Sequence, residues 1–399
     1  MKFLPSAIAA TLLGCATAAP SISTVGDPPA GSGPVAGTSA PPTRDYLLFT
    51  VAESADQLAL VRFGPGGARI ERQQKVGMMP TEINGPHGVA VSPDGRFYYI
   101  SIAHGTPYGT FWKFSTANDS LAGRATLGNF PATVQLTPDG ALAFVVNFNL
   151  HGEMVPSSVS VVSTDQMVEI ARITTCTMPH GSRINPAGTH QYSACMMDDV
   201  FTEIDTRTLE VSRHFMLARG KEAGMTGPPA RMDHAAHTGM NHDAATAGAA
   251  SVQCSPTWVQ PGHDGSRVYV ACNKSNEIVE VDFASWRMRR RWAAGDGVYN
   301  LAASPDGRLL IATNKRGRSI SVYDLATTRE LARIPTHRGV VHGVVVSPDN
   351  RYAFVTEEGR GSEPGTLEVF DLATFKSVAV VDLGQQAAGL DFYRMEPQR

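Results

Sequence analysis

The chain has 399 residues, 42% of them hydrophobic, and a formal net charge of −3. With 34 Lys+Arg against 37 Asp+Glu there is no basic face to recruit a nucleic acid, so that partner is excluded. The length suits two or three ordinary domains or one closed all-β fold.

Met1-Lys2 is a short positive start, and residues 3–14 form an apolar run too short to span a bilayer. The run ends in Leu12-Leu13-Gly14-Cys15, which resembles a bacterial lipobox. Residues 1–15 are expected to be a lipoprotein-type signal peptide with Cys15 lipidated, and cleavage near Ala16-Thr17-Ala18 is the alternative. Residues 16–44 are rich in Pro, Gly, Ser, Thr and Ala, without apolar periodicity, and are expected to be a flexible linker. The expected location is the periplasm or cell envelope, with the membrane met only through the lipid.

Residues 45–399 repeat one unit. Gly88-Val-Ala-Val-Ser-Pro-Asp-Gly95 recurs as Thr133–Gly140, Gly181–Gly188, Trp258–Gly265, Leu301–Gly307 and Gly343–Asn350. Each copy is an apolar strand entering a turn in which Pro presets φ and Gly or Asn accepts φ > 0. Three further strands follow each turn. The turn residues Gly95, Gly140, Gly188, Gly265, Gly307 and Asn350 are 45, 48, 77, 42 and 43 apart. Removing the strand-poor segment 219–252 from the long interval restores the period, so that segment reads as an insertion. Six turns give six blades, and residues 46–77 supply three strands that lack a first one. Residues 388–393 are an orphan first strand. Joined, the two ends complete an all-β, seven-bladed β-propeller without free sheet edges.

The second strands Tyr269-Val-Ala-Cys-Asn273, Ile311-Ala-Thr-Asn314 and Phe354-Val-Thr-Glu357, each after its Pro-Asp turn, resemble the YVTN family of β-propellers. That resemblance covers residues 46–394 and implies fold more than function. The wider fold group includes the copper-bearing propeller of nitrous oxide reductase, the haem-binding propeller of nitrite reductase and lactonase-type propellers.

First strands of a propeller line its channel, so residues at their starts surround one mouth. The repeat places His87, Thr133, His180, Trp258, Asn300, His342 and Gly389 there. Three are histidines, and converging neutral imidazoles suit copper, zinc or iron. Loops after the second strands add His104, His151 and Met197 on the same face, with Met196, Asp198 and Glu357. The insertion carries His234, His237, Met240 and His242, similar to the Met/His-rich tracts of periplasmic copper-handling proteins. The bland reading is an imidazole bonded to a neighbouring blade and a polar loop. Cys176, Cys195, Cys254 and Cys272 fall at equivalent places in two repeats, as two disulfides or as thiol ligands for Cu(I). No Cys-x-x-Cys-His haem attachment, P-loop, Gly-x-Ser-x-Gly or His-Glu-x-x-His occurs.

The sequence thus points to an exported propeller that binds a transition metal, copper foremost, or another small ligand. A propeller enzyme, either a metal-dependent oxidoreductase or a lactonase-like hydrolase, and a scaffold for a protein partner stand as alternatives.

Overall fold

A computed structural model describes residues 39–77, 82–104, 108–229 and 252–398. The expected signal, Cys15 and the insertion residues His234, His237, Met240 and His242 lie outside the described residues. Among the described residues 29 strands form seven antiparallel sheets and there is no helix. The fold is a seven-bladed β-propeller.

Blade 1 is built from both ends of the chain. Its order is Ala387–Pro397, Arg44–Ala52, Gln57–Gly64, Gly67–Lys75, so the C-terminal strand is innermost and the ring closes. Blades 2 to 7 run inside to out, with inner strands Pro86–Val91, Pro131–Leu136, Pro179–Ile184, Pro256–Pro261, Val298–Ala303 and Val341–Val346. The turn that ends each of these requires a left-handed residue. Gly95, Gly140, Gly188, Gly265 and Gly307 have φ of 69–73°, and Asn350 has 63°. Between blades the apolar faces interdigitate, as Tyr46 and Phe63 of blade 1 do with Tyr352 and Phe354 of blade 7.

The closure carries a buried ion network. Arg62, with its side chain 2% exposed, pairs with Asp45 at 2.8 Å, Glu71 at 2.9 Å and Glu396 at 2.9 Å. Its partners lie on the three other strands of blade 1, so one guanidinium joins the two chain ends.

The segment read as a strand-poor insertion begins with a strand. Ala223–Thr226 pairs with Glu210–Met216 as a fifth, outermost strand of blade 4, and all four of its residues are exposed. Its side chains give no apolar signal, and backbone pairing to a sheet edge is what orders it. Cys176 is joined to Cys195 and Cys254 to Cys272. Each bridge ties the chain just before an inner strand to the end of the adjacent second strand.

Removing one member of a buried ion network leaves the others uncompensated. Arg62→Ala is expected to cost about 3–5 kcal/mol of unfolding free energy. Equilibrium urea denaturation checks it.

Candidate functional site at the channel mouth

Every inner strand is irregular at its start. The pairing jumps from Pro86 to Val89, Pro131 to Val134, Pro179 to Ser182, Pro256 to Trp258, Val298 to Leu301 and Val341 to Val344. A bulge re-aims the side chain it carries. Here it brings His87, His180, Tyr299 and His342, the second residues of four inner strands, together.

The bulge also takes that residue's carbonyl out of the ladder, and at four seams a hydroxyl from the preceding blade bonds it closely. Ser101 Oγ donates to Ala132 O at 2.6 Å, Thr133 Oγ1 to His180 O at 2.6 Å, Thr257 Oγ1 to Tyr299 O at 2.7 Å and Thr356 Oγ1 to Ala388 O at 2.5 Å. The blades approach so closely that a Cβ on Gly88 would lie 2.2 Å from Ala132 O, and one on Gly181 2.2 Å from Thr257 O. This explains the glycine of the His-Gly pairs.

The structural equivalents of His87, His180 and His342 are Ala132, Thr257, Tyr299 and Ala388. The repeat reading had Thr133, Trp258, Asn300 and Gly389 there, one residue too far along. Counting eight residues back from the turn residue in every blade, as His87, His180 and His342 require, gives the correct set where a turn exists, Tyr299 included.

His87, His180, His342 and Tyr299 form one buried cluster. The His87 ring centroid lies 5.9 Å from that of His180 and 5.5 Å from that of His342. The Tyr299 hydroxyl is 3.2 Å from His180 Nε2 and 3.4 Å from His342 Nε2. Glu53, from the first hairpin of blade 1, was not singled out by sequence. It lies 2.6 Å from His87 Nδ1 and 2.9 Å from His104 Nε2. Burial would raise the Glu53 carboxyl, but His87 and then His104 pull it down to about 2. As an ionised acceptor it takes a hydrogen bond from His87 Nδ1, which turns the other ring nitrogen, Nε2, away from the carboxylate. That Nε2 is buried with no protein partner.

Burial, with His87 and Lys315 nearby, pushes His180 down to about 3. Burial, with Lys315 and His87, likewise holds His342 well below the usual histidine range. Burial holds the Tyr299 phenol protonated. Lys315 lies 4.5 Å over the Tyr299 ring and 2.6 Å from Glu358.

The remaining candidates form an outer tier or fall away. The rings of His104 and His151 stand 5.5 and 5.6 Å from Phe130, which is itself 5.7 Å from His87. Met197 is 40% exposed, whereas its neighbour Met196 packs among Phe130 and Phe148. Asp198 accepts the Thr177 N–H at 2.6 Å. Glu357 is fully buried, accepts from Arg338 N and Thr366 Oγ1, and is pushed up to about 9 by burial and by Glu368. The bridged sulfurs of all four cysteines are not free thiolates. Among the described residues no three His, Cys, Asp or Glu side chains form a metal-holding group by themselves. Below the cluster the channel holds a cavity of about 410 Å³, running from His87 and His342 to Pro93 and Pro138.

This architecture is shared with solved propellers. The periplasmic gluconolactonase PpgL of Pseudomonas aeruginosa superposes with a TM-score of 0.64 at 16% identity, over 87% of this chain and 99% of that one. A candidate 6-phosphogluconolactonase from Bacteroides fragilis gives 0.61 at 15% identity over 88% and 98%. Hydrazine synthase of Kuenenia stuttgartiensis gives 0.58 at 15% identity over 86% and 100%. At such identities the likeness is one of fold. Protein HIR1 of Candida albicans is 27% identical over 121 residues, and that of Eremothecium gossypii 33% over 93. Those matches take in 28% and 23% of this chain and span only 13% and 10% of those proteins. No family model matches the chain.

In the metal-free protein the cluster makes folding acid-sensitive. Unfolded histidines take up protons below about pH 6.5, whereas folded His180 does so only near 3. Between these values the unfolded state binds more protons, so stability falls as pH falls, by up to about 1.4 kcal/mol per unit for each such histidine. Glu53 adds to the loss as pH drops from 4.5 toward 2. Calorimetry in chelator is expected to show Tm declining below about pH 6.5, with a shallower slope in His180→Asn.

Proposed function

We propose that the channel mouth is a transition-metal site, with His87, His180, His342 and Tyr299 as its ligands and copper as its preferred ion. The observation that carries this reading is the spacing around the Tyr299 oxygen. Its contacts of 3.2 and 3.4 Å to two imidazole nitrogens are long for hydrogen bonds. Ligand atoms about 2.0–2.1 Å from a tetrahedral ion stand about 3.3 Å apart. One hydroxyl proton also cannot be donated to both imidazoles. Glu53 on His87 Nδ1 matches the carboxylate that commonly orients a metal-binding imidazole, leaving Nε2 for the ion. An N/O donor set of this kind binds Cu²⁺ most strongly among the common divalent ions. The soft-donor argument from Met197 no longer supports the mouth, because that side chain points to solvent. The role is binding of a metal ion by an exported protein of the cell envelope.

The test uses a chain lacking residues 230–251, so that the His-rich segment does not compete. It should bind one Cu²⁺ with a phenolate-to-copper absorption that vanishes in Tyr299→Phe. Glu53→Gln should weaken affinity about 10–100-fold. Unchanged affinity in a variant with His87, His180 and His342 all replaced by Ala would sink the reading.

One observation favours a second reading. The Glu53–His87 pair stands at the end of the channel cavity, and a carboxylate-oriented imidazole with an unpartnered Nε2 is a competent general base. Two of the structural neighbours are described as a gluconolactonase and a candidate 6-phosphogluconolactonase. Hydrolysis of a lactone would begin with His87 taking a proton from water. Chelator-treated protein is then expected to open simple aldonolactones, with His87→Ala losing about 10²–10⁴-fold in rate. No turnover by metal-free protein would leave only the binding role.

A further inference from the structure

The fifth residue of each inner strand defines a second tier, below the histidines. Around the ring it reads Asp391, Ala90, Gln135, Arg183, Gln260, Ala302 and Val345 for blades 1 to 7. Five of these seven residues are uncharged. Arg183, on blade 4, is flanked by two glutamines from blades 3 and 5. Asp391 faces it from blade 1, and small or apolar residues fill the rest. Both charged groups line the 410 Å³ cavity.

Each feels the other's charge across the cavity, but the two do not touch. Arg183 makes no ion pair within 4.0 Å among the described residues. Its contacts are Ser182 O at 3.1 Å and the Trp258 ring, 4.6 Å from the guanidinium carbon. The ring holds the guanidinium flat and leaves most of its five N–H donors for the lumen. Asp391 accepts from Val91 N at 2.7 Å and Phe392 N at 2.9 Å, which fixes its carboxyl and leaves lone pairs open. Burial pushes it up to about 6, so it is mainly ionised near neutrality. Two opposite charges that line one cavity without touching leave both free to meet the two ends of a ligand.

We propose that this tier binds a small zwitterion, an amino carboxylate. Its carboxylate sits on Arg183 between Gln135 and Gln260, its ammonium on Asp391, and its apolar body beside Ala90, Ala302 and Val345. A planar guanidinium takes a carboxylate in a bidentate fork. Asp391 accepts three-donor ammonium without rearrangement. The cavity volume falls in the range of sites for small molecules. This site does not rest on the metal reading, since no imidazole takes part.

The experiment is isothermal titration calorimetry on the folded chain in chelator, with a panel of free amino acids. The same carboxylic acids without the amine, and the same amines without the carboxylate, are the controls. Amino carboxylates are expected to bind at least about tenfold more tightly than either control. Asp391→Asn should erase the preference over the plain carboxylic acid. Arg183→Gln should weaken both carboxylate classes by about tenfold or more. Arg183→Lys, which keeps the charge and loses the fork, serves if Arg183→Gln does not fold, and should show an intermediate loss. The proposal is overturned if no amino carboxylate in the panel binds, if the plain acids bind equally well to the unmodified chain, or if both substitutions leave affinity unchanged.

Discussion

Hydrogen bonds from side-chain hydroxyls to bulged carbonyls cross five of the seven seams between blades at the channel mouth. The bulge that opens each inner strand withdraws one carbonyl from its ladder, and a buried carbonyl must find another donor. Ser101, Thr133, Thr257, Thr313 and Thr356 supply it across these seams. The contact forces the blades so close that only glycine fits after His87 and His180. The same bulge swings those imidazoles, with His342 and Tyr299, onto the axis. Seam, glycine and cluster are one device, and the buried pKa shifts follow from it.

The ring survives on its closure. Sheet edges invite pairing with other chains, and here the two ends of the described chain pair as strands inside blade 1. Arg62 gathers carboxylates from three strands there. The two disulfides act at the opposite level of detail, each fixing the entry to an inner strand beside the mouth. Rigidity of the entry segments matters, because the cluster depends on side chains from four blades arriving at one point.

Chemistry is layered along the axis. An outer tier of His104 and His151 meets the aromatic wall of Phe130 and Phe148. The buried tier of imidazoles and phenol follows, and the polar tier of Arg183 and Asp391 lies beneath it. Each of the two inner tiers is a single position of the repeat read around the ring. A propeller can therefore vary one position in seven copies without disturbing the strands that carry it.

The repeat, the Pro-Asp-Gly turns and the offset of 77 between two of them were enough to determine seven blades and their closure, because strand periodicity and left-handed turns are local properties of residues. Local chemistry also exposed the His-Gly pairs. It did not expose Glu53, whose hairpin lies outside the repeat's turn signal, nor Tyr299, which needed a count back from the turn rather than forward to a motif. The exposed strand Ala223–Thr226 was equally silent, since only backbone pairing holds it. Which imidazole nitrogens are buried without a partner, which methionine turns outward and which charges face each other without contact were decided by tertiary structure alone. Those are properties of seven separate strands meeting at one axis, and no stretch of sequence contains that meeting point.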